Sequence, residues 1–110
     1  MVKVEIVKDC RDEVRSFRLE GHTGYEDHGK DIVCAGVSAI VQAALVGLLN
    51  YLEQRPLYEK ESGFLSCSLA QGLNAEDAFK AQIILGTMEM GLREIEYMYQ
   101  DYIELKIRRC

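Results

Sequence analysis

Several things are missing from this chain. It has no C-x-x-C pair among its four cysteines, no excess of basic charge, and no charged residue anywhere between positions 32 and 52. Each absence excludes something. With 13 Lys and Arg against 18 Asp and Glu, the formal net charge is −5, which argues against a protein whose main work is gripping phosphate backbones. The same balance suits a basic peptide or protein partner. Without paired cysteines, and with no apolar signal segment at the amino terminus, free thiols in a reducing cytoplasm are expected rather than a disulfide framework. No linker, repeat or low-complexity segment breaks the 110 residues, so one domain spanning 1–110 is expected.

The uncharged run has the length of a membrane span. It also contains Ser38, Gln42, Asn50 and two glycines, and no basic cluster marks either flank. A helix apolar nearly all round is equally a buried or dimer-interface helix, and the strands on either side would lose their partner if it entered a bilayer. No membrane association is expected.

Taken in order, Val2, Val4 and Ile6 alternate with Lys3 and Glu5, as in a half-buried strand. A polar turn at residues 9–12 leads to a second strand around Phe17 and Leu19. Residues 23–30 carry Gly24 and Gly29 with no apolar period and read as a loop. A helix is predicted over 32–54, capped by Asp31 and stopped by the single proline, Pro56. A hairpin turning near Glu61, Ser62 and Gly63 follows, with Leu65, Cys67 and Leu69 on one strand face. Asn74, with Asp77 three residues on, opens a second helix. Its stripe is Ala78, Ala81, Leu85, Met88, Leu92, Ile95 and Tyr99, with Glu89 and Arg93 paired on the expected wet side. Ile103, Leu105 and Ile107 form a last strand. The fold class is α+β: a two-layer ββαββαβ domain, a mixed sheet with two helices.

The chemistry gathers where the loop meets the first helix. With Asp31 as cap, Cys34 falls in the first turn, where amides lack intrahelical partners and the peptide dipoles leave positive charge. A thiol there is readily deprotonated, and the thiolate is the nucleophile. His22, at a strand end twelve residues earlier, is an anchored candidate base; His28 lies mid-loop. Asp31, Cys34 and Ser38 share one helix face. A cysteine in an average position fills a core, but a first-turn place with a histidine nearby favours catalysis. Cys10 in a turn, Cys67 on a core-facing strand side and Cys110 at the end have no such setting. A phosphatase-type C-x5-R would need arginine where Ile40 stands, the spacing of His22, His28, Cys34 and Cys10 matches no common zinc site, and the glycines form no phosphate-binding signature. Neither metal nor cofactor is expected.

The pattern Gly21-His22, a glycine-containing loop, then Gly29-x-Asp31-Ile32-Val33-Cys34-Ala35-x-Val37-Ser38 resembles the bacterial ribosomal-processing cysteine protease family called Prp. The resemblance covers the whole chain, in length and in element order. It implies a homodimeric endopeptidase that trims an N-terminal extension from the large-subunit ribosomal protein numbered twenty-seven. By that resemblance His22 is the catalytic histidine and Cys34 the nucleophile, and Asp31 and Ser38 occupy further motif positions.

The resulting expectation is a cytoplasmic cysteine endopeptidase acting on a peptide, without direct nucleic-acid binding. First-turn amides are its candidate oxyanion donors. Thr23, Gly24, Tyr25 and Gly29 belong to a lid over the substrate. The rival is a non-catalytic ribosome-assembly or protein-binding module in which Cys34 is merely buried.

Overall fold

Alternation at the amino terminus folds as expected. β1 (Val2–Lys8) buries Val2, Val4 and Ile6, and β2 (Val14–Glu20) buries Val14, Phe17 and Leu19. A computed structural model describes the backbone of residues 1–21 and 28–110, and side chains outside 22–31. The remaining elements are α1 (His28–Tyr51), β3 (Leu57–Glu61), β4 (Phe64–Ser68), α2 (Ala75–Met98) and β5 (Ile103–Arg109). The order is ββαββαβ, as the periodicities predict.

The five strands form one mixed sheet in the order β3-β4-β2-β1-β5. β1 and β5 run parallel, with Val4 opposite Leu105; the other pairs are antiparallel, with Phe17 opposite Ile6 on one side and Cys67 on the other. The core lies between one sheet face and the two helices: Val33, Val37, Val41, Leu45 and Leu48 of α1 and Ala81, Leu85, Met88 and Leu92 of α2 meet the inward residues of β1, β2 and β4. Seven-residue β5 closes one edge. At the other edge all five residues of β3 are exposed, so the helical layer stops short of that strand.

α1 departs from its predicted bounds at both ends. It starts at His28, so Asp31 lies in its first turn rather than at its cap, and residues 28–30, expected in the loop, are helical. It ends at Tyr51, before Pro56 could stop it. The buried Asp77 carboxylate accepts from the Glu53 and Gln54 amides at 3.1 and 2.9 Å, and these donors are thereby taken from any further helical turn. The Asn74 cap is as expected, its side chain accepting from Asp77 N at 2.8 Å. The reciprocal half of the box is absent because the Asp77 carboxylate serves the α1 exit instead.

Glu89 also differs from expectation. It does not face water: it is buried, held by Lys8 Nζ at 3.0 Å and by Arg93 at 2.8 Å. β1 and α2 are thus joined by a desolvated ion pair, with exposed Arg93 at its outer end. Tyr99, placed on the apolar stripe by spacing, is exposed just past the end of α2.

Candidate active site

β2 ends beside the turn of the β3–β4 hairpin. Gly21 N donates to Gly63 O at 2.8 Å, which extends the β2–β4 ladder by one bond. Gly63 has φ 76°, a left-handed conformation that glycine adopts without steric cost. Gly21 answers a different need, that of space. A Cβ on it would stand 3.1 Å from Cys34 Sγ, tighter than side chains normally tolerate. Cys34 itself is half-buried on α1, packed against the core and open on one side.

That open side faces a cleft of about 660 Å³ between α1 and the β3–β4 hairpin. Cys34, Ala35, Ser38 and Gln42 form the helical wall, with Leu19 and Phe64 among the apolar residues opposite. Ser38 and Gln42 are linked, Gln42 Nε2 donating to Ser38 Oγ at 2.7 Å. Phe64 carries the Arg18 guanidinium 5.3 Å above its ring, which holds this aromatic residue in place at the start of β4.

The other thiols sit elsewhere. Cys67 is buried in β4, and burial pushes it up to about 12, so it stays protonated at neutral pH. Cys10 and Cys110 are exposed, and Cys110 is tied to the Lys8 carbonyl at the far end of β1. Among the described residues no group of three or more His, Cys, Asp or Glu side chains could hold a metal ion.

The structure therefore brings Cys34 and Ser38 together on one cleft wall, as their spacing predicts. His22, Thr23, Gly24 and Tyr25 lie outside the described residues. Gly29 and Asp31 belong to the first turn of α1, as does His28. One expectation needs correction. Cys34 is six residues beyond His28, so its amide is already inside the helical ladder. The unpaired amides, and the dipole field that fades within one turn, centre on residues 28–31 instead. Cys34 therefore lies one turn beyond the first-turn amides to which the sequence assigns it. One site residue, Gln42, went unread in the sequence, and Gly21, read there only as a motif position, gains its role from the nearby sulfur. Gln42 did leave a trace, a polar residue four positions after Ser38 and eight after Cys34 in an uncharged stretch of helix.

A half-buried thiol opening onto an apolar cleft suits nucleophilic attack on a bound peptide, and by family this chain is a cysteine peptidase. Ribosomal processing cysteine protease Prp of Bacillus subtilis (strain 168) is 29% identical to it over 107 residues, 96% of each chain. A crystal structure of the ribosomal processing protease Prp from S. aureus in complex with a substrate peptide matches with a TM-score of 0.86 at 26% identity, over 98% of this chain and 100% of that one. The same S. aureus protease with a covalently linked product peptide matches at 0.81 and 29%, over the same shares. The model of the family described as cysteine protease Prp matches residues 1–104, and the chain belongs to that family.

Proposed function

We propose that this chain is a cytoplasmic endopeptidase, carried by a single domain over residues 1–110, that removes the N-terminal extension of the large-subunit ribosomal protein numbered twenty-seven during ribosome assembly. The Cys34 thiolate attacks the peptide carbonyl, and His22 takes the thiol proton and passes it to the leaving amine. The acyl-enzyme is then hydrolysed by water. The observation that carries this reading is the closeness of Gly21 to Cys34: a Cβ on the glycine would stand 3.1 Å from Sγ, so the residue before His22 packs beside the thiol. Asp31, in the first turn of α1, carries a negative charge of the sign that favours a helix start. Thr23, Gly24 and Tyr25 follow His22 in the chain and on this reading contact the bound peptide. The rival module with a buried Cys34 is disfavoured because the thiol is half-buried and lines the cleft.

The enzyme acts as a homodimer on this proposal. Ile32–Tyr51 is long and apolar enough to cross a membrane, yet only about a third of its apolar stretch is buried inside one chain. Val46 of α1 and Phe79, Ile83 and Met90 of α2 are each more than half exposed, an apolar surface of the kind that marks association.

Incubation with the extended ribosomal protein, followed by mass spectrometry, tests the function. One cut that releases the extension is expected from the wild type and none from Cys34→Ala. An uncut substrate would refute the proposal.

A further inference from the structure

The helical wall of the cleft carries a short relay. Cys34, Ser38 and Gln42 follow one another by single turns on one face of α1. Gln42 Nε2 donates to Ser38 Oγ at 2.7 Å. A hydroxyl has one proton and two lone pairs. With a lone pair engaged by the amide, the Ser38 proton is turned away from Gln42 and left for an acceptor in the cleft.

The start of α1 leaves a place for such a donor. Because the helix begins at His28, the amides of Cys34 and the residues after it are spent on the ladder. A tetrahedral oxygen forming at Cys34 draws nothing from them. Side chains one turn apart have Cβ atoms about 5–6 Å from one another. A carbonyl group spans that gap, with its carbon on Sγ and its oxygen towards Oγ.

We propose that the Ser38 hydroxyl donates to the scissile carbonyl oxygen as it becomes negative, and that Gln42 is the positioning residue that aims it. This rests on the peptidase reading of Cys34. As the thiolate pair forms the S–C bond, the carbonyl π pair moves onto oxygen, where the Ser38 O–H meets it without giving up its proton. When the C–N bond breaks, that pair returns to the carbonyl and the nitrogen leaves with the proton held by His22. A donor present where charge develops lowers the barrier more than it strengthens substrate binding.

Three variants test the relay in steady-state cleavage of a peptide that the wild type cuts. Ser38→Ala removes the donor and is expected to lower kcat about a hundredfold with KM little changed. Gln42→Glu puts an acceptor-only carboxylate beside the hydroxyl, captures its proton, and should approach the Ser38→Ala loss. Gln42→Leu frees the hydroxyl without aiming it and should fall between. Alkylation of Cys34 by iodoacetamide forms no tetrahedral oxygen, so Ser38→Ala and Gln42→Leu should react at the wild-type rate. Wild-type kcat in Ser38→Ala, a milder effect of Gln42→Glu than of Gln42→Leu, or alkylation falling in step with kcat would each overturn the relay while leaving the peptidase reading intact. A wild type that cuts no peptide would overturn both.

Discussion

Gly21 faces the thiol of Cys34 closely enough that a Cβ on the glycine would lie 3.1 Å from the sulfur. The end of β2 and the second turn of α1 are therefore set so close that even a methyl group between them would be tight. Residue 21 is also pinned from behind by its hydrogen bond to Gly63 O. Strand, hairpin turn and the Cys34 thiol thus meet at one point.

Gly21→Ala is accordingly expected to displace the sulfur by a few tenths of an ångström while leaving the sheet intact. Misplacing a nucleophile on that scale should reduce kcat/KM about tenfold, with thermal stability close to wild type. Unchanged kinetics would mean that the thiol has slack the geometry does not suggest.

Cys34 should be labelled first by a limiting alkylating agent at neutral pH when peptide mapping follows cleavage of the chain by trypsin. Cys67, pushed up to about 12 by burial, should remain unmodified in the folded protein and react only on unfolding. Cys34→Ala should abolish proteolysis, and Cys10→Ser and Cys110→Ser should keep it. Turnover by Cys34→Ala would remove the assignment.

The two histidines separate cleanly. His22→Ala should lose most of the rate, and His28→Ala, altered at the first residue of α1, should keep most of it. Comparing single-turnover rates of the two variants decides the matter, and the reverse order would move the base onto the helix start.

Acid should weaken the joint between β1 and α2. Burial pushes the Glu89 carboxyl up, but hydrogen bonds and charge from Lys8 and Arg93 outweigh it and hold the group below its ordinary 4.5. A depressed folded pKa contributes stability that is fully present above about 4.5 and is lost as pH falls through the lower folded value. Lys8→Met should destabilise the protein by about 3 kcal/mol at pH 7, the lower end for breaking a buried pair, because Arg93 stays on Glu89. That difference should shrink towards pH 3. Urea unfolding at both pH values would show it, and a deficit independent of pH would refute the charge argument.

The exposed apolar face of the helices should hold two copies together. Val46→Glu combined with Ile83→Glu alters two residues that are each more than half exposed, so the monomer fold should lose little stability. Sedimentation velocity at micromolar concentration should show a dimer for the wild type and a monomer for the double variant. A monomeric wild type would end the proposal.

Much of this molecule was readable because it is decided locally. Strand alternation at Val2, Val4 and Ile6, the Asn74 cap three residues before Asp77, and the shared face of Cys34 and Ser38 depend on neighbours a few positions apart. Backbone geometry alone converts such spacings into faces. The rest depends on groups far apart in sequence. Glu89 reads as a surface partner of Arg93 until Lys8, 81 residues away, is brought beneath it. α1 ends at Tyr51 because Asp77, on the other helix, takes the next amides. Its start at His28 was hidden by a stretch with no apolar period and a glycine, so local propensity gave no sign of it. The need for glycine at position 21 exists only once a sulfur thirteen residues on is folded against it. Local spacing determined the elements and the chemical groups they carry. Packing, in which desolvation and close contact act between distant parts of the chain, decided which of those groups meet.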